Sequence, residues 1–155
     1  MDGLNNAVSL TYRAAEQGDI GFILNSWMKS HRTWVGRMNN EAYFSGQQAL
    51  IAALSEISQI VICCDATPKM RTFVLGYVCG EMDVATDTLI LHYIYVKKGY
   101  RRAGIARDLL TAIGRGPRTK IIATHWTCLV RDKGTAYNME YSDYPLKMGY
   151  QRAQH

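Results

Sequence analysis

The sequence predicts an α/β domain in which helices cover the faces of a mixed β-sheet. Stretches rich in β-favouring apolar residues alternate with amphipathic stretches of helical period. In chain order they read β-α-α-β-β-β-α-β-α-β, and strands interleaved with helices are typical of the α/β class. The length of 155 residues and the hydrophobic content of 48% suit one domain, residues 1–155, with a substantial core.

The first half of the chain contains one predicted strand and two predicted helices. The segment VSLTYRAA alternates well enough for a strand. Asp19 can cap a helix whose apolar residues share one side, and residues 32–44 have the mixed polarity of a loop. Ser45 and Gln48 form a candidate capping box for the second helix, GQQALIAALSEIS.

The second half begins with three predicted strands. QIVICCDA and TFVLGYVCGEM are separated by a connection of hairpin length, and DTLILHYIYV follows them. An amphipathic helix comes next and stops at Gly114. KIIATHWTCLV predicts a further strand, and the tail predicts a short helix that breaks near Pro145 and a strand near Tyr150. The apolar stripe of the amphipathic helix consists of Ile105, Leu109, Leu110 and Ile113.

The charge of the chain suits an anionic partner. A net charge of +5 and an isoelectric point near 9.1 favour an anionic ligand or nucleic acid. No apolar run approaches the roughly 18 residues that a membrane span needs. The N-terminus lacks the basic and apolar regions of a signal peptide. We therefore expect a cytoplasmic protein without a membrane partner.

The four cysteines do not predict a metal site. Cys63 and Cys64 are adjacent, so on a strand they point to opposite faces. No CxxC pair exists, and His125 with Cys128 offers one ligand-like pair without a second. We expect reduced, mostly buried thiols and no metal cofactor.

The segment YVKKGYRRAGIARDLL, residues 95–110, places a basic turn between a strand and a helix. The first amides of a helix have no internal partners and favour an anion. Gly104 and the small Ala106 would let a phosphate approach the backbone, and Arg101 and Arg102 add charge. The pattern favours a pyrophosphate over a single carboxylate. Neither GxxxxGK[ST] nor GxGxxG, the better-known phosphate loops, is present.

This segment resembles motif A of the GCN5-related N-acetyltransferases, V-x-x-x-x-(Q/R)-x-x-G-x-(G/A) after a long strand. Val96, Arg101, Gly104 and Ala106 fill its positions. A second signature of the family is matched by the spacing near the C-terminus. The resemblance covers nearly the whole chain and implies a mixed, mostly antiparallel, splayed β-sheet flanked by helices. The C-terminal positions are Asn138, Tyr144, Pro145, Lys147, Met148, Gly149 and Tyr150.

The resemblance implies acetyl-coenzyme A as the acyl donor. Backbone amides of the basic turn would hold its pyrophosphate, and its pantetheine arm would lie between two splayed strands. The main chain of Tyr95 and Val96 would bind that arm, an amide near Val96 would polarise the acetyl carbonyl, and Asn138 would approach from the other side. The implied coenzyme contacts are Tyr95, Val96, Arg101, Arg102, Ala103, Gly104, Ile105, Ala106 and Asn138.

The resemblance leaves the general acid open. In the family a tyrosine commonly protonates the departing thiolate, and that position aligns with Pro145. Tyr144 is its neighbour, and Tyr141 lies one helical turn earlier. Either would have to take the role, or the role is absent.

The general base is also open. His92 lies four residues before Val96 on the same strand, so the two should share a face, and imidazole suits general-base work. Glu81 or Asp83, at the end of the preceding strand, could act through a water instead. The alternative for His92 is that it packs in the sheet and bonds a neighbour.

Several other residues have two interpretations. Trp27 could line an acceptor pocket, but its helical spacing favours the core. His31 and Trp34 fall in the predicted loop, so for them the sequence favours neither the acceptor pocket nor the core. We expect His125 and Trp126 in a strand and at its edge.

The leading hypothesis is an N-acyltransferase that moves an acetyl group from acetyl-CoA to a primary amine by direct attack in a ternary complex. The alternative is a binding or structural module that keeps the fold with little or no turnover. Nucleic-acid binding is a third class, disfavoured because the basic residues concentrate in one turn and no stacking motif accompanies them. The acceptor could be a small molecule or a protein, and a homodimer is compatible with the sequence.

Overall fold

The computed structural model describes residues 9–32, 39–66 and 73–143. Within these ranges the chain forms six strands and four α-helices. The strands are β1 (Leu10–Ala14), β2 (Gln59–Asp65), β3 (Val74–Asp83), β4 (Thr88–Val96), β5 (Lys120–Ala123) and β6 (Met139–Tyr141). The helices are α1 (Ile20–His31), α2 (Asn40–Ile57), α3 (Ile105–Ala112) and α4 (Cys128–Lys133).

The strands form one sheet in the order β1-β2-β3-β4-β5-β6. Neighbours from β1 to β4 pair antiparallel, whereas β4 with β5 and β5 with β6 pair parallel. Each parallel connection contains a helix, α3 or α4, as parallel crossovers require. The predicted fold class, a mixed and mostly antiparallel sheet flanked by helices, is confirmed.

Each face of the sheet carries its own hydrophobic cluster. On the α1/α2 face, side chains of α1 and α2 pack against β3 and β4, and Trp27 and Tyr77 are completely buried there. On the α3 face, α3 packs against β2, β3 and β4, and Leu109 and Leu110 are buried there. Burying a large apolar side chain contributes roughly 1.5–3 kcal/mol, so both clusters stabilise the sheet. The core position expected for Trp27 is confirmed.

Helix α3 matches its prediction closely. Its predicted stripe is buried, and it ends before Gly114, which has a φ of 120°. This left-handed region favours glycine, so Gly114 ends the helix with little conformational strain.

Asp19 precedes α1, but its predicted capping role is wrong. Its carboxylate makes no capping bond to α1. It pairs instead with both guanidinium nitrogens of Arg13, at 2.7 and 3.0 Å, and accepts from the Glu16 N–H at 2.8 Å. A carboxylate that satisfies an arginine on the adjacent strand is not free to cap the helix that follows it.

Helix α2 begins earlier than the sequence predicted. The side chain of Asn39 accepts hydrogen bonds from the N–H groups of Glu41 and Ala42, at 2.8 and 3.3 Å, and so forms the N-cap. Residues 40–44, predicted as loop, are therefore helical, and the predicted capping box at Ser45 is wrong. Asparagine caps a helix as well as serine does, so residue type alone does not favour Ser45 over Asn39 as the start of α2.

Two predictions beyond residue 120 are also wrong. β5 ends at Ala123, so His125 and Trp126 lie in a bend, and the predicted strand over 120–130 continues instead as α4. The segment after α4, predicted as helix, forms a turn and then β6. Short apolar runs are compatible with either state, and packing decides between them.

No helix in the described ranges is both long enough and apolar enough to cross a membrane.

Candidate active site where β4 and β5 diverge

β5 pairs along its whole length with β4, but only with the first four residues of β4. Their parallel register ends where Leu91 lies opposite Ala123, and the N–H of Thr124 donates to the Leu91 carbonyl at 2.9 Å. Residues 92–96 of β4 have no β5 partner in the described chain. Pairing therefore stops where β5 ends, and the edge of β4 beyond Leu91 is open within the described chain; we call the space beside this edge the cleft. The predicted splay of the sheet is confirmed.

β4 contains one extra residue, His92, relative to β3. Tyr93 lies opposite Cys79, whereas Leu91 lies opposite the residue that follows Cys79. This is the register of a β-bulge, a feature found often beside active sites. The bulge also breaks the alternation of faces, since Leu91 and Ile94 are three residues apart but both pack on the α3 face.

The bulge overturns the expected relation between His92 and Val96. Val96 packs on the α3 face. His92 instead reaches Glu81, which lies two residues after Cys79 and thus on the α1/α2 face with it. Two residues that are four apart on a regular strand lie on the same face, but the residue inserted at the bulge shifts the alternation by one. His92 and Val96 therefore lie on opposite faces of the sheet.

The open edge of β4 presents its backbone groups at alternate residues. The N–H of Lys97 donates to the Leu75 carbonyl of β3 at 2.8 Å. Because successive residues of a strand direct their N–H and C=O groups to opposite neighbours, Tyr95 also faces β3, and Ile94 and Val96 face the cleft. Of the predicted main-chain contacts, Val96 is therefore at the cleft and Tyr95 is not. Ile94 is a cleft-facing residue that the sequence did not indicate.

The basic turn leaves its amides without protein partners. No amide of residues 101–107 donates to an acceptor within the described ranges, and the first helical bond runs from the Asp108 N–H to the Gly104 carbonyl at 3.0 Å. Arg102 and Gly104 have φ angles of 70° and 81°. Left-handed residues at such close spacing curl a turn so that successive N–H groups line a concave, anion-binding surface. The predicted geometry of the turn is thus present.

The basic side chains around the turn do different things. Arg101 donates from Nε to the Val96 carbonyl at 2.8 Å, and Arg102 is exposed. Lys97 points away from the turn, because its ammonium lies 3.9 Å from the ring centroid of Phe73. A cation held over an aromatic face is already stabilised, so Lys97 is not available to the turn in this conformation.

His92 and Glu81, two candidates for the same role, are in direct contact. Nε2 of His92 lies 2.7 Å from Oε2 of Glu81, and Nδ1 of His92 lies 3.0 Å from Oγ1 of Thr124. The imidazole is 0% exposed and the Glu81 side chain is 17% exposed. Both ring nitrogens of His92 are therefore engaged within the protein.

Thr124 extends this contact to a second histidine. Its Oγ1 lies 3.1 Å from Nδ1 of His125. The ring of His125 packs edge-on against Trp27, His31 and Tyr93, with centroid separations of 5.5, 4.8 and 5.8 Å. Neither Thr124 nor His125 was predicted as a site residue. The one sequence signal was their position just after the strand that lines the cleft.

Comparison with known proteins bears on the fold. No protein-family model and no curated protein sequence matches the chain. A presumed acetyl transferase from Pyrococcus furiosus is similar in structure, with a TM-score of 0.62 and 18% identity over 83% of this chain and 91% of that one. A possible acetyltransferase from Clostridium difficile 630 has a TM-score of 0.53 and 17% identity over 87% and 93% of the two chains.

The strand order and the splay, together with these two structures, decide the fold. The chain has the GCN5-related N-acetyltransferase (GNAT) fold. The resemblance seen in motif A is thereby confirmed at the level of the fold. Matches of such low identity carry no information about the acceptor or about turnover.

Several predicted residues of the GNAT fold lie away from the cleft. Asn138 has a φ of 56° in the turn before β6, and its carbonyl accepts from the Ile121 N–H at 3.1 Å. This hydrogen bond lies near the start of β5, whereas the cleft lies beyond the end of that strand. Asp83 caps a turn by accepting from the Ala85 N–H at 3.0 Å. Tyr141 is exposed and packs edge-on against Trp126 with centroids 5.7 Å apart.

Three predicted features of this GNAT-fold chain cannot be located. Trp34, Tyr144 and Pro145 lie outside the described residues, as do the signature positions Lys147, Met148, Gly149 and Tyr150. The idea that Tyr141 lies one helical turn before Pro145 is wrong, since Tyr141 belongs to β6.

Burial disfavours the charged forms of His31 and His125 on the α1/α2 face of this GNAT fold. Desolvation lowers the pKa of His125 to about 3, with smaller contributions from His31 and His92. Desolvation also lowers the pKa of His31. Nε2 of His125, Nδ1 of His31 and Nε1 of Trp27 are buried without hydrogen-bond partners in the described chain. An unsatisfied buried polar atom costs about 1–3 kcal/mol, so three together need an explanation.

No cluster of three or more histidine, cysteine, aspartate or glutamate side chains suited to a metal ion occurs in the part of the chain that the structure describes. Burial raises the pKa of the Cys63 thiol to about 11 and that of the Cys79 thiol to about 12. These thiols are therefore protonated at neutral pH and are poor metal ligands.

Proposed function

We propose that the chain is an acetyl-CoA-dependent N-acetyltransferase that transfers an acetyl group to a primary amine, and that residues 1–155 act as a single domain. The observation that carries the proposal is that the amides of residues 101–107 have no acceptor among the described residues. They follow the end of the strand whose edge lines the cleft. A concave set of free N–H groups beside an open strand edge is suited to a long ligand with an anionic group at one end.

The donor would be held by two parts of the chain. The amides of the basic turn, with the charge of Arg101 and Arg102, would bind its diphosphate. The cleft-facing N–H groups of Ile94 and Val96 would bind the arm and polarise the acyl carbonyl. We leave Tyr95 and Asn138 out of the proposed contacts, because the backbone of one faces β3 and the other lies toward the opposite end of β5.

Bound acetyl-CoA supplies the thioester that an amine can attack. The contribution of this chain is to hold that thioester against the edge of β4, to orient its carbonyl and to bring an acceptor amine to it within the cleft. Positioning of this kind can supply about 7–11 kcal/mol of the barrier, which is why such a reaction needs few reactive side chains.

A second function, coenzyme binding with little turnover, is favoured by one observation. Both ring nitrogens of His92 are engaged, with Glu81 and Thr124, so His92 has no free lone pair for an amine. If no other residue accepts the proton, turnover depends on amine that is already neutral in solution. The two functions share the donor site and differ in the acceptor step.

Two measurements test these functions. Calorimetry should show that coenzyme A binds and that pantetheine, which lacks the diphosphate, binds at least about tenfold more weakly. Equal affinity for the two, or no binding of either, would remove the basic turn from the site. Thiol release from acetyl-CoA is then followed over a panel of polyamines, aminoglycosides and lysine or N-terminal peptides. Release with one class supports the enzyme, and binding without release over the whole panel supports the module.

A further inference from the structure

We propose that Glu81, His92, Thr124 and His125 form a directional hydrogen-bond chain that presents an unprotonated Nε2 of His125 to the acceptor amine. This inference rests on the proposed function and adds to it the residue that receives the amine's proton. His125 is then the catalytic residue, and the other three are positioning residues that set its tautomer.

The chain consists of three consecutive contacts. Glu81 Oε2 to His92 Nε2 measures 2.7 Å, His92 Nδ1 to Thr124 Oγ1 measures 3.0 Å, and Thr124 Oγ1 to His125 Nδ1 measures 3.1 Å. All three lie within hydrogen-bond range. His92, Thr124 and His125 are each at most 5% exposed, so water does not compete for these bonds.

The donors and acceptors in this chain can be assigned from its first member. A carboxylate only accepts, so Nε2 of His92 carries the hydrogen that faces Glu81. A neutral His92 then has a bare Nδ1, which accepts the single hydroxyl hydrogen of Thr124. The Thr124 oxygen has only lone pairs left for His125, whose Nδ1 must therefore be the donor. A neutral His125 with its hydrogen on Nδ1 has a bare Nε2.

One competing acceptor does not change the result. The Leu91 carbonyl lies 3.4 Å from Thr124 Oγ1 and is the longest of the contacts to that oxygen. If Thr124 donated there, its hydrogen would still be unavailable to His125, so Nδ1 of His125 would remain a donor. Only a hydroxyl hydrogen directed at His125 itself would move the histidine's hydrogen to Nε2.

The hydrogen-bond chain ends at Nε2 of His125, a nitrogen that can accept a hydrogen bond from a ligand. Nε2 of His125 is buried and has no partner in the described chain. His125 directly follows Thr124, whose N–H makes the last backbone hydrogen bond to β4 before the open edge of that strand begins. The titratable groups that face it are His31 and Tyr93, from α1 and β4, and His92 behind Thr124. None of these supplies a negative charge directly at Nε2, so the relay to Glu81 is the route by which positive charge can be compensated.

The proton transfer balances along the chain. As the amine nitrogen bonds to the acyl carbon and the C–S bond breaks, the amine proton moves to Nε2 of His125. Nδ1 of His125 gives its proton to Thr124, Thr124 gives its own to Nδ1 of His92, and Nε2 of His92 gives its proton to Glu81. The thiolate leaves, Glu81 ends protonated and both imidazoles end neutral. The lowered pKa of His125 fits this course, because an imidazolium at that position is disfavoured.

The tautomers can be observed without any turnover. Two-bond nitrogen–proton NMR spectra of the uniformly ¹⁵N-labelled full chain separate a bare from a protonated ring nitrogen. At neutral pH we expect His125 with hydrogen on Nδ1 and a bare Nε2, and His92 with hydrogen on Nε2. A His125 ring with hydrogen on Nε2 would overturn the proposal.

Substitutions at Thr124 test the link itself. Thr124→Val removes the hydroxyl at nearly constant volume and should abolish the Nδ1–H preference of His125, whereas Thr124→Ser should retain it. Thr119→Val is the matched control, because Thr119 is equally buried and its hydroxyl bonds Asp87 instead. Loss of the preference in Thr119→Val, or its persistence in Thr124→Val, would count against the chain.

The acceptor role is tested with methylammonium chloride added to the coenzyme A complex. We expect the Nε2 resonance of His125 to shift and those of His92 to move less. An unchanged Nε2 with coenzyme A bound overturns the acceptor assignment while leaving the donor site in place. Failure of coenzyme A to bind at all overturns the proposed function instead, so the two failures are distinguishable.

Discussion

The guanidinium of Arg101 donates a hydrogen bond of 2.8 Å from Nε to the backbone carbonyl of Val96. The bond spans the 3₁₀ turn Lys98–Tyr100 and joins the basic turn to the last residue of β4. The carbonyl it engages belongs to a residue that faces the cleft. The free amides of the turn and the open edge of β4 are therefore held together as one surface.

Replacing Arg101 should weaken coenzyme A binding for two reasons. Arg101→Ala removes a positive charge and loosens the turn from β4, and losing one charge-assisted bond of about 1.5–3 kcal/mol corresponds to roughly a tenfold or greater rise in Kd. Calorimetry gives the value. Arg118→Ala is the control, since Arg118 is an equally exposed arginine beyond α3. An equal loss of coenzyme A affinity in both variants would mean that the change in net charge alone explains the effect.

Gly104→Val should abolish measurable coenzyme A binding while the protein remains folded. A β-branched residue is strained at a φ of 81°, and its Cβ would lie 3.2 Å from the guanidinium of Arg107, so the turn would have to change shape. Gly99→Val provides the comparison, because no atom lies within 4 Å of a Cβ built there and its φ is not left-handed. Circular dichroism checks the fold. Wild-type affinity in Gly104→Val would show that the ligand does not use this turn.

Asp19→Asn should destabilise the protein by about 1–3 kcal/mol at neutral pH. The buried carboxylate pairs with Arg13, and that pairing lowers the pKa of Asp19 below its ordinary value of 3.8. A depressed carboxyl pKa stabilises the folded state above 3.8, and the contribution is lost as pH falls through the lower, folded value. Urea denaturation at neutral and acid pH should therefore show a difference between variant and wild type that shrinks in acid.

The exposed pair of Arg131 and Asp132 makes a useful control for that experiment. The pKa of Asp132 is also lowered, mainly by its hydrogen bond to Arg131. Both side chains are more than half exposed, so water screens the interaction. Asp132→Asn should leave stability nearly unchanged, and an effect as large as that of Asp19→Asn would mean that burial is not the cause.

His125 should make the protein less stable as the pH falls below 6.5. Its folded pKa of about 3 lies below the ordinary 6.5, so the unfolded chain binds a proton there that the folded chain does not. Stability is then unaffected above 6.5 and declines below it by up to about 1.4 kcal/mol per pH unit for one proton. The decline should continue until the pH reaches the folded pKa.

His125→Gln should flatten this slope. Urea denaturation of wild type and variant between about pH 4.5 and 6.5 measures how the free energy of unfolding changes with pH. This range lies above the pH at which Asp19 titrates. A residual slope is expected from His31, whose pKa burial also lowers. Identical slopes in wild type and variant would show that the folded and unfolded states bind a proton at His125 equally, which would contradict its lowered pKa.

Local sequence was sufficient for the donor side of the site. The basic turn, Gly104 and the start of α3 lie within a few residues of one another, so short-range rules for helix ends and glycine describe them. The same holds for α3, whose stripe repeats with the helical period. The end of β5 was misjudged because an apolar run of that length is compatible with strand or helix.

The acceptor side could not be derived in this way. His31, His92 and His125 are each more than thirty positions from the next along the chain, and no spacing rule relates them. The bulge at His92 is a property of the pairing between β3 and β4, and it reversed the face that alternation predicted. Sequence alone determined the turn that awaits an anion, because its geometry is local. Only the tertiary structure decided that both ring nitrogens of His92 are engaged while Nε2 of His125 has no partner in the described chain, because that depends on which distant side chains lie beside each ring.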